Sequence, residues 1–204
     1  MKNITFVGFG DSLTYGYGVY GGISFMDRLK ASLPEAFPDI NWRIINSGIN
    51  GNTTREGVSR IKSDVLDYKP DIVTILFGSN DSALNEYQHR ALYEFEENLK
   101  TITEKILNDT SAEIIFITPP PLIADDIFPF TTNKAVKLYS DVIKKTADSY
   151  GCRLIDFNCL LANTARGDLA PYLQYDGLHL SDKGYNVIFK LVFEEIKDIV
   201  RTAL

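Results

Sequence analysis

Short apolar runs of strand length alternate along this chain with longer segments in which apolar residues recur at helical spacing. Parallel strands are usually joined by a helix, so this alternation is typical of a parallel sheet with helices on both faces. We therefore predict an α/β fold. The predicted strands are residues 4–9, 42–46, 72–77, 114–117 and 153–155.

The first segment with helical spacing covers residues 23–33, and its apolar side chains share one face. Those side chains belong to Ile23, Met26, Leu29 and Leu33. Because proline lacks an N–H group, Pro34 is expected to close this helix. Further helices are predicted at 53–68, 92–107, 132–150 and 181–200, with a loop at 122–130.

Two of these helices have recognisable start signals. Thr53 and Glu56 have the spacing of a capping box, and Ser181 is the expected N-cap of the closing helix. The side chains expected to be buried in the closing helix include Val187, Leu191 and Ile199. The strand at 72–77 is apolar throughout, which predicts a central position in the sheet.

Composition and charge exclude some partners. The chain has 204 residues, of which 45% are hydrophobic, and its net charge of -6 comes without any cluster of Lys and Arg. Nucleic-acid phosphates require a basic surface, so we expect no nucleic-acid partner. No apolar run approaches the roughly 20 residues that span a bilayer, so no membrane span is expected.

The remaining bulk features favour an ordinary globular enzyme or binding protein. Its length fits one domain over residues 1–204. The apolar stretch near the N-terminus is too short for a signal-peptide core, which favours a cytoplasmic location. Cys152 and Cys159 are interpreted as packed thiols outside any disulfide framework. Nothing in the sequence specifies an oligomeric state.

Polar clusters follow three of the predicted strands. They are Asp11-Ser12, Ser47-Gly48 and Ser79-Asn80-Asp81. In an open α/β sheet the ligand crevice lies outside the carboxyl ends of the strands. We therefore expect these three clusters to converge on one crevice.

Ser12 is the candidate nucleophile of that crevice. A serine hydroxyl needs a neighbouring base, and the chain contains only two histidines, His89 and His179. Asp176 precedes His179 by three residues, with Gly177 between them, so a turn could let the carboxylate bind the imidazole Nδ1 and leave Nε2 facing the serine. We predict a catalytic triad of Ser12, His179 and Asp176.

Acyl transfer also needs hydrogen-bond donors for the developing oxyanion. The candidates are the backbone N–H groups of Ser12 and Gly48 and the side-chain amide of Asn80. Further candidates for substrate contact are Asp11, Tyr15, His89 and Leu178. Asp11 could instead hold its loop through backbone hydrogen bonds, and tyrosines near Ser12, including Tyr17 and Tyr20, could form hydrophobic walls or mere surface cover.

Together these residues resemble the sequence blocks of the GDSL, or SGNH, hydrolases. The blocks appear in the family's order as Gly10-Asp11-Ser12-Leu13-Thr14, Asn46-Ser47-Gly48-Ile49-Asn50-Gly51, Gly78-Ser79-Asn80-Asp81 and Asp176 with His179. The resemblance implies a three-layer α/β/α sandwich, flavodoxin-like, with a five-stranded parallel sheet. It also implies a small-molecule ester as substrate, an acyl-enzyme on the serine, and no metal or other cofactor.

Three further stretches are similar to the isoamyl-acetate-hydrolysing esterase branch of that family. They are Asn80-Asp81-Ser82, Tyr87-Gln88-His89 and Ile117-Thr118-Pro119-Pro120-Pro121-Leu122. The next stretch departs from this branch, because Arg90-Ala91-Leu92 stands where Val-Pro is expected. A carbohydrate O-acetyl esterase and a thioesterase therefore stay open as alternatives within the family.

A nucleotide-binding domain is the rival class of protein. Residues 16–21 have the G-x-G-x-x-G spelling of a dinucleotide-binding loop. However, the first strand ends near Gly10, several residues too early, and Asn46-Ser47 stands where an acidic residue is expected. A third alternative is a catalytically silent carbohydrate-binding or scaffold protein, because one fold can host many functions.

Overall fold

A computed structural model describes residues 2–19, 23–123 and 130–202, and its central element is a parallel five-stranded sheet. The strands are β1 (Lys2–Gly10), β2 (Ile40–Gly48), β3 (Ile72–Leu76), β4 (Glu113–Ile117) and β5 (Arg153–Ile155). Their order in the sheet is β2-β1-β3-β4-β5, and all four pairs are parallel. The strand order therefore changes direction between β1 and β3. An open α/β sheet forms its ligand crevice at such a switch point.

Helices cover both faces of the sheet. They are α1 (Ser12–Tyr15), α2 (Phe25–Ala36), α3 (Thr54–Asp64), α4 (Leu92–Asp109), α5 (Asn133–Tyr150), α6 (Phe157–Ala165) and α7 (Asp182–Thr202). Buried side chains of α2, α6 and α7 form one core cluster with the sheet, and those of α3, α4 and α5 form the other. The predicted three-layer α/β/α sandwich is therefore confirmed.

The register of the strands brings the polar clusters to one edge. Gly10, the last residue of β1, pairs with Gly48 on one side and Leu76 on the other. Along β1, Phe6 packs in one core cluster and its neighbour Val7 in the other, as expected for a strand covered on both faces. All five residues of β3 are buried, which confirms its predicted central position.

The first long helix differs from the prediction at both ends. Ser24 caps its start through a reciprocal capping box with Asp27, so Ile23 lies outside the helix and is exposed. Pro34 lies inside the last turn and does not close the helix, which continues to Ala36. A proline in that turn removes one backbone hydrogen bond, while the N–H of Phe37 still donates to Leu33.

The predicted start signals of α3 and α7 are confirmed. Thr53 and Glu56 form the capping box, although α3 ends at Asp64 and a short 3-10 turn, Leu66–Tyr68, follows. Ser181 Oγ accepts the N–H of Gly184, as an N-cap does. The buried face of α7 includes the predicted Ile199, but Val187 and Leu191 are only half-buried. The fully buried positions are Tyr185, Ile188, Val192, Ile196 and Ile199.

Helix α6 was not predicted from the sequence. It is short, its buried residues are Phe157, Leu161 and Ala165, and the Asp156 side chain caps its start by accepting the N–H of Cys159. Both cysteines have free thiols. Cys152 is half-buried, whereas Cys159 is exposed, so the interpretation of Cys159 as a packed thiol is wrong.

Some predicted features lie outside the described residues. These are Tyr20, Gly21 and most of the predicted loop at 122–130, of which residues 122, 123 and 130 are described. Within the described ranges, no helix combines the length and the apolar character needed to cross a membrane.

Candidate active site

Ser12 lies at the first position of α1, directly after the end of β1. The Asp11 side chain accepts the N–H of Leu13 and so caps this four-residue helix, and Gly16 ends it in the left-handed conformation. A helix start leaves its first N–H groups without intrahelical partners, and Ser12 is the first residue of this helix. Ser12 is buried at the side of a crevice.

His179 and Asp176 reach Ser12 from the loop that precedes α7. The imidazole Nδ1 lies 2.6 Å from Asp176 Oδ2, and Nε2 lies 3.0 Å from Ser12 Oγ. A carboxylate on Nδ1 selects the tautomer that leaves Nε2 as an acceptor for the serine hydroxyl proton. The structure therefore brings together the three side chains predicted to form the triad.

The loop geometry fixes the Asp176 carboxylate. Its other oxygen, Oδ1, accepts the N–H groups of Leu178 and His179, and Gly177 adopts a φ of +66° to make this turn. Burial acts to raise the pKa of Asp176, but the hydrogen bonds from the His179 ring and from these N–H groups outweigh burial and lower the pKa. The carboxylate is therefore ionised when it orients the imidazole.

Tyr17 covers the imidazole on the solvent side. The two ring centroids are 4.4 Å apart and the planes are tilted by 41°. Gln174 holds this arrangement, because its side-chain amide donates to the carbonyls of Tyr17 and Leu180 while its N–H donates to the carbonyl of His179. Tyr17 thus belongs to the wall of the site.

The crevice has a volume of about 320 Å³ and is open to solvent. Its lining residues are Ser12, Tyr17, Asn50, Gly51, Asn80, Gln88, Phe130, Leu178 and His179. Asn80 is almost fully buried, and its Nδ2 donates to the carbonyl of Asn52. Leu178, a candidate for substrate contact, also lines the crevice.

Gly48, predicted as an oxyanion donor, is not among the lining residues. Its N–H donates to Asn46 Oδ1 at 2.9 Å, so the group is already occupied. A Cβ built on Gly48 would lie 2.2 Å from the backbone N of Tyr15, which shows that the glycine allows β2 to pass close to α1. The structure therefore contradicts the predicted donor role of Gly48, and this glycine serves the packing of β2 against α1 instead.

Three candidates for substrate contact also lie away from the crevice. Asp11 is fully buried and holds its loop, Tyr15 is exposed on α1, and His89 turns its Nδ1 toward the carbonyl of Ala83. None of the three lines the crevice. Gly51 and Gln88 do line it. Gly51 belongs to a family-like block and Gln88 to a stretch similar to the isoamyl-acetate-hydrolysing branch, but local sequence does not indicate a role for either residue.

Arg60 ties together the chain segments around the crevice. Its guanidinium donates to the carbonyls of Gly10 and Ser47 and to Asn52 Oδ1, and it stacks 4.5 Å above the Phe9 ring. Arg60 thereby holds together the carboxyl ends of β1 and β2 and the loop that carries Gly51.

Among the described residues, no group of three or more His, Cys, Asp and Glu side chains is arranged to hold a metal ion.

Asp11 is a buried acid beneath the nucleophile. Burial raises the pKa of the Asp11 carboxyl to about 7, and the nearby Asp81 also acts to raise it. The hydrogen bond from the Leu13 N–H and the charge of Arg60 act to lower this pKa. In the unfolded chain the pKa of an aspartic acid is about 4. Between these values the folded state keeps a proton that the unfolded state has lost, so stability falls as the pH rises.

We therefore expect Asp11→Asn to stabilise the protein more at pH 8 than at pH 4.5. Asparagine retains the oxygen that accepts the Leu13 N–H and removes the buried charge. Thermal melting of both proteins at the two pH values measures the effect. A melting-temperature difference independent of pH would contradict the raised pKa of Asp11.

The G-x-G-x-x-G stretch that marked the rival nucleotide-binding class does not have the geometry of a dinucleotide-binding turn in its described residues, 16–19. Gly16 ends α1, Gly18 belongs to the turn that follows, and the next helix begins only at Phe25. The stretch therefore does not join the end of β1 directly to a long helix, as a phosphate-binding turn requires.

A linked serine, histidine and aspartate is typical of the serine hydrolases, and here it lies at the carboxyl edge of a parallel α/β sheet. The sequence model of the GDSL-like lipase/acylhydrolase family matches residues 9–187. The chain belongs to this family and is a carboxylic ester hydrolase.

Individual relatives agree with this assignment. The chain is 33% identical over 202 residues to the human isoamyl acetate-hydrolyzing esterase 1 homolog, covering 89% of this chain and 76% of the relative. It is 26% identical over 206 residues to an acetylxylan esterase of Geobacillus stearothermophilus, covering 92% and 91%. A lipase/acylhydrolase of Enterococcus faecalis has a similar structure, with a TM-score of 0.80, 30% identity and 96% coverage of both chains.

Proposed function

We propose that this hydrolase cleaves small uncharged esters, with acetate esters preferred, through an acyl-enzyme on Ser12. The observation that carries the proposal is the continuous hydrogen-bonded chain from Asp176 through His179 to Ser12, with distances of 2.6 and 3.0 Å. The 3.0 Å distance lies within hydrogen-bond reach of a base and its nucleophile, and the 2.6 Å contact lets the carboxylate orient that base.

In the first half-reaction, Ser12 Oγ attacks the ester carbonyl while His179 Nε2 accepts the hydroxyl proton. The tetrahedral intermediate collapses, the bond to the alcohol oxygen breaks, and His179 returns the proton to the leaving alcohol. In the second, His179 takes a proton from water, the resulting hydroxide attacks the acyl-enzyme, and the carboxylic acid leaves as Ser12 regains its proton. Asp176 stabilises the imidazolium in both halves.

Three donors are proposed for the oxyanion. They are the N–H of Ser12, the N–H of Gly51 and the side-chain amide of Asn80. Gly51 takes the role first predicted for Gly48, because it lines the crevice beside Ser12 and adopts a φ of +76°. Donors aimed at the developing charge supply a large part of catalysis in acyl transfer.

The crevice lining supports the substrate class. Tyr17, Phe130 and Leu178 supply apolar surface, Asn50 and Gln88 supply neutral amides, and no Lys or Arg is among the described lining residues. Substrates with phosphate groups, such as acyl-coenzyme A thioesters, would lack a cationic partner there. Two relatives are named for acetate esters of different alcohols, an alkyl alcohol and a polysaccharide.

A substrate panel tests this proposal. We expect p-nitrophenyl acetate to be hydrolysed with a kcat/KM at least about 10-fold above that of the octanoate, because a short acyl group fits a small crevice. Isoamyl acetate and an acetylated xylo-oligosaccharide compare the two alcohol types, and acetyl-coenzyme A tests the thioester. A preference for the long acyl chain or for the coenzyme A thioester would overturn the proposed substrate class.

A further inference from the structure

The side-chain amide of Asn80 can serve an oxyanion in only one of its two orientations. The NH₂ group must face the crevice, since a carbonyl oxygen there would repel the developing negative charge. The two orientations have nearly the same shape, so packing alone does not select between them. Hydrogen-bond partners on both ends of the amide must make the selection.

Two contacts of Asn80 favour the same orientation. Nδ2 donates to the carbonyl of Asn52 at 2.9 Å, and Oδ1 accepts from Gln88 Nε2 at 3.1 Å. In a flipped amide, Asn80 Oδ1 would face the Asn52 carbonyl, so two acceptors would meet. Asn80 Nδ2 would face Gln88 Nε2, so two donors would meet. Since one Nδ2 hydrogen is used by Asn52, the second stays available for the crevice.

Gln88 is itself held in one orientation. Its Nε2 also donates to the carbonyl of Gly51 at 3.3 Å, and its Oε1 accepts from Asn85 Nδ2 at 3.0 Å. Asn85 Oδ1 in turn accepts the backbone N–H of Gln88. Both ends of the glutamine amide are therefore satisfied, and the side chain links the two proposed donor residues, Gly51 and Asn80.

Arg90 anchors the segment that carries Gln88. This arginine is almost fully buried, and it donates to the carbonyls of Tyr87 and His89 on either side of Gln88 and to Thr53 Oγ1 at the start of α3. Its own carbonyl accepts the hydroxyl of Tyr139. The backbone of Gln88 is thereby fixed relative to the loop that contains Gly51 and Asn52.

We propose that Gln88 is a positioning residue that sets the amide orientation of Asn80 and couples it to Gly51. The inference rests on the proposed role of Asn80 as an oxyanion donor. Gln88 acts through Asn80, so its loss is expected to lower kcat while leaving KM for a small ester nearly unchanged.

Two substitutions of Gln88 separate orientation from packing. Gln88→Glu keeps the shape but presents only acceptors to Asn80 Oδ1 and the Gly51 carbonyl, which favours the flipped amide. We expect kcat for p-nitrophenyl acetate to fall about 10-fold or more. Gln88→Met keeps a similar volume without either hydrogen bond and is expected to give a smaller decrease. Glu86→Gln, an exposed neighbour outside the crevice, is the matched control and should retain wild-type kcat.

A double-mutant cycle with Asn80→Ala decides the mechanism. Asn80→Ala alone should lower kcat by about 100-fold, and Gln88→Glu should then cause no further loss, because the amide that it orients is gone. A through-space effect of the new negative charge would instead persist in the Asn80→Ala background and would overturn the inference. So would unchanged kcat in both Gln88 variants, or an effect confined to KM.

The cycle also separates this inference from the proposed function. If Asn80→Ala leaves kcat unchanged, Asn80 is not an oxyanion donor and that part of the proposed function fails. If Asn80→Ala is strongly impaired while the Gln88 variants match the wild type, only the positioning role fails.

Discussion

Ser12→Ala should lower kcat for p-nitrophenyl acetate by about 10⁴-fold or more, because the variant lacks the hydroxyl that is proposed to form the acyl-enzyme. The structure supports this size of effect, since Ser12 Oγ is the hydroxyl in contact with His179 Nε2. Steady-state kinetics of the wild type and the variant measure it. Intact-protein and peptide mass spectrometry after treatment with an organophosphonate should show one adduct, on the peptide that contains Ser12, in the wild type alone.

The control for this experiment is Ser149→Ala, an exposed serine of α5 whose Oγ donates to the Lys145 carbonyl. It should retain full activity and full labelling. Near-wild-type activity of a correctly folded Ser12→Ala protein would end the acyl-enzyme proposal, as would an adduct on a different residue.

His179→Ala should have an effect of similar size, about 10⁴-fold or more in kcat. Without the imidazole the serine hydroxyl keeps its proton, and the Asp176 carboxylate has no ring to orient. Because the serine and the histidine act as one unit, the double variant with Ser12→Ala should lose little beyond either single variant. The kinetics of the three proteins on p-nitrophenyl acetate measure this non-additivity.

The other histidine provides a matched control. His89 is exposed and does not line the crevice, so His89→Ala should retain kcat within about twofold, as exposed substitutions usually do. A large loss in His89→Ala together with an active His179→Ala would exchange the roles assigned to the two histidines.

The contacts among Ser12, His179 and Asp176 could be predicted because they depend largely on local sequence. Asp176 and His179 are three residues apart and form their contact within one turn, and Ser12 directly follows an apolar strand. The pairing of Gly10 with Gly48 and Leu76 then follows from the parallel arrangement itself, since strands that run the same way end at the same edge.

The oxyanion side of the site could not be predicted to the same degree. Gly48 ends β2 and Gly51 follows three residues later in the next loop, and sequence spacing does not indicate which N–H faces the crevice. The Asn46 side chain occupies the N–H of Gly48, and Arg60, from the middle of α3, fixes the course of the loop through Asn52. These contacts join segments that no local pattern connects.

The sequence by itself determined the α/β alternation, the central position of β3 and the identity of the serine, histidine and aspartate, because each depends on periodicity or on neighbours along the chain. Only the tertiary structure decided that Gly51 lines the crevice in place of Gly48, that His89 is not among the lining residues, and that Gln88 is hydrogen-bonded to Asn80. The physical reason is that the direction of a backbone N–H or an amide group depends on hydrogen-bond partners supplied by distant loops.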